Sequence, residues 1–167
     1  MTPKQFTFVA ARLAEEMRQI EYLLAELASR QLINAPGNKL RQFIKGDTFT
    51  LRAAGSVLHD FYVAVENIFK IIARELDEKI PAGEHWHREL ILQMTLDLPG
   101  IRPPVISKHT ARKLDEFRAF RHVFRNVYGF NLSEEKISAL LEKLPAVSAG
   151  LTREVQLFIQ KMQQIIQ

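Results

Sequence analysis

No cysteine occurs among the 167 residues of the chain. Disulfides and thiol chemistry are thereby excluded, and a reducing cytoplasm is the expected setting. Nor does any uncharged apolar run approach the ~20 residues that a membrane-spanning helix needs, so a soluble protein with no membrane association is expected. The opening segment MTPKQFTFVAARLAEEM carries acids among its apolar residues, which is unlike a secretory leader. Strand-like alternation, internal repeats and low-complexity tracts are absent too. A chain of this length can bury a core without covalent help and is expected to form one domain over residues 1–167.

Charge is present on both sides of the balance, with a formal net of +4, but it is unevenly placed. Between Ile101 and Tyr128 seven Lys/Arg residues face two acids, whereas the rest of the chain holds sixteen bases against seventeen acids. A cluster of this kind suits an anionic partner such as a phosphate backbone. A solvated basic helix face is the plainer alternative.

Apolar spacing reads as helical throughout. Thr2-Pro3-Lys4-Gln5 has the form of a capping box with proline at the first helical position. Phe6, Val9, Leu13, Met17, Ile20, Leu24 and Leu27 then recur in steps of three and four. The turn residues of NAPGNK are expected to close that helix. A second long stripe runs from Leu51 through Leu58, Phe61, Val65 and Ile68 to Ile72, ending before Pro81-Ala82-Gly83. A short helix follows from Glu84 to about Leu98. LPGIRPPVIS reads as an extended connector, because paired prolines restrict the residues before them. Ser107 is placed to cap a helix reaching Tyr128, with Gly129 as its stop. Ser133 starts another, which Pro145 is expected to end, and a last stripe runs from Leu151 to Ile165. The reading is an all-α, up-and-down helical bundle with additional short helices and antiparallel long neighbours.

The stretch FRAFRHVFRNVYGF, Phe117 to Phe130, carries the chemistry. At ~100° per residue Phe117, Phe120, Val123, Phe124 and Val127 share an arc of roughly 120° that is expected to face the core. Arg118, Arg121, His122, Arg125, Asn126 and Tyr128 take the other side. No acid occurs between 117 and 130, where a merely solvated face ordinarily interleaves glutamates. Arginines to hold a phosphate and an imidazole to move protons are parts that phosphodiester chemistry needs.

These residues resemble the HepT-like branch of the HEPN superfamily. The likeness extends over ENIFKIIARELDEKIPAGEHWHRELILQM, PGIRPPVIS and FRAFRHVFRNVYGF in that order, from roughly Glu66 to Leu132. The Gly83-x-x-Trp86-His87 element and the Arg-Pro connector are the branch-specific features. The resemblance implies a HEPN-like bundle and a metal-independent RNase toxin that needs no cofactor. It implies a homodimer whose cleft is built from two copies of an R-x4-H-x-Y motif. It also implies a small nucleotidyltransferase antitoxin of the MNT type, which attaches AMP to the motif tyrosine. Carried onto this chain, the motif arginine is Arg121 and the tyrosine is Tyr128, the position for AMPylation. Asn126 stands where the family has histidine. Asparagine cannot carry a proton at neutral pH, and His122, one turn earlier, is the candidate substitute. Arg118, Arg121 and Arg125 are the expected RNA-binding residues. The alternative is a non-catalytic HEPN module that binds RNA or serves as the transferase's partner; a helical scaffold without ligand leaves the arginine face unexplained.

Other candidates are weaker. His85 and His87 flank Trp86, but residues two apart on a helix face away from each other, so capping or packing is expected and no metal site. Tyr62 and Glu66, one turn apart, read as a packing or surface pair that could support the motif face. His59 beside Asp60 reads as solvent-facing.

Overall fold

The computed structural model describes residues 1–34, 37–126 and 131–166, with side chains except at 37–39 and 43. Six α-helices make up the described fold: α1 Pro3–Ser29, α2 Gly37–Ile44, α3 Thr48–Glu75, α4 Trp86–Gln93, α5 Lys108–Asn126 and α6 Glu134–Ile166. The protein is an all-α bundle, as the apolar spacing predicts. No helix among the described residues is long and apolar enough to cross a membrane.

Helix α3 is the axis of the bundle. Phe61, Val65, Ile68, Phe69 and Ile72 are fully buried on it, and every other helix packs against it. Arg12 reaches Glu75 while Asn67 reaches Glu16, so α1 runs antiparallel to α3. Phe117 of α5 meets Phe61 edge-on, with ring centroids 5.1 Å apart. Two helical turns further on, Phe124 lies over Gly55, where a Cβ would come within 2.8 Å of its ring. Glycine at 55 is what lets the end of α5 lie this close to α3.

The expected starts are present. The Thr2 hydroxyl accepts from Gln5 N and the Gln5 side chain accepts from Thr2 N, completing the capping box. Ser107 Oγ accepts from Thr110 N at the head of α5, and Ser133 Oγ from Lys136 N at the head of α6.

Four expectations need correction. Helix α1 closes at Ser29, before NAPGNK, through Arg30 and Gln31, the latter with φ 58°. Gly37 to Lys39, read as turn residues, instead open α2, whose Leu40 and Ile44 are buried. Pro145 does not stop its helix. α6 continues through it for 33 residues. The proline removes one helical N–H donor, a cost of about 3 kcal/mol in a helix interior. Buried Leu144, Val147 and Leu151 on either side bind the two halves to the same core and offset it. The short helix α4 is also shorter than expected, ending at Gln93.

The segment after α4 is held by Arg102, whose side chain is wholly buried. It donates to both oxygens of Asp77 at 2.6 and 2.7 Å and to the carbonyls of Gln93, Leu96 and Pro103. Leu98 and Arg102 close a tight turn, with Gly100 at φ 78°. This clamp fixes α4 against the end of α3, and so fixes His87 relative to Glu66.

Candidate active site

The centre of the site is a residue that the spacing underrated. Glu66 sits among the buried residues of α3 and is only 2% exposed. A carboxylate at that depth stays only if it is paired and hydrogen-bonded. Three partners converge on it. Lys70 Nζ, one turn on, lies 2.6 Å from Oε1; His87 Nδ1, from α4, lies 2.5 Å from Oε2; Arg121 Nη2, from α5, lies 3.7 Å from Oε1. Three helices are thus joined at one carboxylate.

Arg121 is therefore not a plain surface arginine. Its side chain is 13% exposed, and its Nε is buried without a hydrogen-bond partner among the described residues. Arg118 is paired as well, its Nε donating to Asp115 Oδ1 at 2.6 Å. The absence of acids between 117 and 130 is real, but Asp115 and Glu66 supply them from one turn earlier and from α3. Arg125 is exposed, with no ion pair among the described residues.

Tyr62 and Glu66 form no surface pair: both are buried. Burial, then the Glu66 carboxylate, pushes the Tyr62 phenol well above its usual pKa, against Arg118 and Arg121. It stays protonated at any ordinary pH. His87 stacks on Trp86, with ring centroids 3.6 Å apart, and Lys70 lies 4.7 Å from the centroid of the same tryptophan. His59 is less exposed than expected. It bonds Asp60 at 3.0 Å and packs against Phe124.

At the end of α5, Asn126 Nδ2 donates to the His122 carbonyl at 2.8 Å, and both residues are exposed. Val123, assigned to the core by the helical wheel, is 44% exposed. Tyr128, Val127 and Gly129 lie outside the described residues. His85 and His109 are exposed and apart from His87's partners, and among the described residues no three His, Asp or Glu side chains are grouped to hold a metal ion. A hollow of about 850 Å³ lies elsewhere, lined by Phe8, Ile101, Met162 and Ile165 among others.

Sequence reasoning missed Glu66 and His87 as site residues. A signal existed: Glu66 is a charge within the apolar run YVAVENIF, on the arc shared by Tyr62, Val65 and Phe69. A charge on a core arc is a request for partners.

The described residues thus form an all-helical bundle that presents a basic helix face over a buried, multiply paired carboxylate. The model of the HepT-like protein family matches residues 53–162, more than half of the chain. The chain belongs to the HepT-like family, and its fold is consistent with the HEPN superfamily. No curated protein and no solved structure matches.

Proposed function

We propose that this protein is a metal-independent endoribonuclease of the toxin type, acting as a homodimer and silenced by a nucleotidyltransferase that adds AMP to Tyr128. Membership of a family that is generally toxin-like supports the class. The observation that carries the reading is Arg121. Its guanidinium is ion-paired with Glu66 at 3.7 Å, and its buried Nε–H has no partner among the described residues. A guanidinium held at a carboxylate and still partly exposed can turn its open edge to an anion, and a phosphate oxygen fits that planar fork. A pairing between two copies is supported by Val123, an apolar side chain exposed on α5 between His122 and Phe124.

The test is RNA binding and cleavage with metal chelated. Arg121→Ala should weaken binding similarly for all sequences and lower the slope of log K against log salt by about 0.7, one phosphate contact on a single strand. Equal affinity and slope in parent and variant would remove the phosphate role. Cleavage should be indifferent to chelation.

AMP transfer gives an independent check. Incubation with a cognate nucleotidyltransferase and ATP should add one or more AMP units, read by intact mass. Tyr128→Phe should abolish the gain; a variant that still gains the mass would place modification elsewhere. Each AMP would bring phosphate charge towards Arg121 and Arg125 and compete with RNA.

A non-catalytic module that binds RNA or the transferase is the second reading. One observation favours it: the Asn126 amide is turned back onto its own helix and offers no titrating group.

A further inference from the structure

Glu66 positions a histidine as well as an arginine. Its Oε2 lies 2.5 Å from His87 Nδ1. An ionised carboxylate only accepts, so the imidazole carries its proton on Nδ1, and Nε2 is left with a bare lone pair. The ring is fixed on a second side by Trp86, yet a quarter of the side chain remains exposed. An oriented, accessible imidazole with a carboxylate behind it is the arrangement that proton abstraction uses.

The surroundings set its charge state. From α3 it is faced by Glu66 and Lys70, and from α5 by Arg121. Burial lowers its pKa most; Arg121 and Lys70 lower it further, and Glu66 opposes them. The imidazole is therefore neutral at neutral pH. Because Arg121 and His87 share one carboxylate, α5 and α4 bring the guanidinium and the imidazole to the same place, on either side of Glu66.

We propose that His87, contributed by α4 and oriented by Glu66, is a proton-transferring group of this site that takes the 2′-hydroxyl proton of an RNA strand whose phosphate lies on Arg121. This rests on the RNA-cleaving reading above. The step balances without a co-reactant beyond water. His87 Nε2 accepts the 2′-hydroxyl proton as the O2′–P bond forms. The P–O5′ bond then breaks, and O5′ takes a proton from water. The products are a 2′,3′-cyclic phosphate and a 5′-hydroxyl end, and the imidazolium returns its proton to the hydroxide. Asn126, which cannot titrate, does not take part in the transfer.

His87→Ala, made in the parent and in the Asn126→His background, tests this with an RNA oligonucleotide and metal chelated. The rate constant for cleavage should fall by about 10²–10⁴-fold with RNA affinity little changed. Added imidazole should restore part of the loss, which a purely structural histidine would not allow. In the parent, kcat/KM should rise with pH along a limb whose midpoint lies below the ordinary histidine value of 6.5, and this limb should vanish in the variant. A measurement on the intact parent guards against a variant that misfolds: an uncleavable 2′-deoxy strand should shift the His87 ring resonances in NMR spectra and leave those of His109 in place.

Undiminished cleavage by His87→Ala in an active Asn126→His background overturns this inference alone, as does a His87 ring untouched by the bound strand. Failure of both parent and Asn126→His to cut RNA at any pH overturns the ribonuclease reading and this inference with it.

Discussion

Replacing Asn126 by histidine is expected to raise RNA cleavage by about 10²–10⁴-fold, the ordinary contribution of one positioned acid or base. The position is available for such a gain. Asn126 is exposed on the last described turn of α5, five residues after Arg121, and its amide is occupied only by the His122 carbonyl of its own helix. That bond satisfies the amide but moves no proton. No other contact of Asn126 among the described hydrogen bonds would be lost on substitution. RNA binding should change little, since it depends on arginine charge and not on the added ring. His122→Ala should matter little, because His122 is exposed and has no side-chain hydrogen bond among the described residues. Single-turnover cleavage of a labelled RNA, with growth on induced expression as a second readout, measures both variants. Loss of activity in His122→Ala with no gain in Asn126→His would shift the working register by one turn. If both variants and the parent bind RNA without cutting it, the non-catalytic module is the correct reading.

Asp77→Ala is expected to lower folding stability by about 3–5 kcal/mol, the usual effect of stripping one partner from a buried ion pair. Asp77 and Arg102 have side-chain exposures of 4% and 0%. Removing the carboxylate leaves the guanidinium with three carbonyl contacts and no counter-charge, in surroundings that water cannot readily reach. Gln93 also loses its 2.6 Å bond to Asp77 Oδ2. Urea unfolding followed by circular dichroism gives the loss directly, if the transition is two-state. Adding Arg102→Met to the variant should recover a good part of it, because the stranded charge is gone. A loss under about 1 kcal/mol would show that water reaches the pair and that the clamp contributes little.

The long helices were legible because their apolar residues repeat every three or four positions over many turns. Thr2, Ser107 and Ser133 marked three starts, since a hydroxyl just before a periodic run satisfies free N–H groups. Helix α2 was not legible. It has eight residues, and two buried side chains, Leu40 and Ile44, are too few to establish a period. Pro145 misled because the local penalty is visible in sequence, while the flanking core contacts that outweigh it are tertiary. The wheel placed Val123 inward, but the core does not extend that far along this side of α5. Helical spacing put Arg121 on a basic face with Arg118 and Arg125, and the family resemblance singled it out there. Glu66 and His87 were not found, because 21 and 34 residues separate them from each other and from Arg121, and only the fold brings the three together.

Helix α1 lies wholly outside residues 53–162, the region that matches the family, yet it is not an appendage. Phe6, Val9, Leu13, Met17 and Ile20 are buried on it, chiefly against α3. The region recognisable by sequence and the region able to stand alone in water are therefore different lengths of chain. A fragment cut at residue 53 would keep the family's signature while laying bare an oily flank of α3, and would be prone to clump. The buried positions of α1 ask chiefly for fit and volume, so many apolar sequences could serve there. Those apolar positions can change in spelling, but the helix that carries them cannot be deleted.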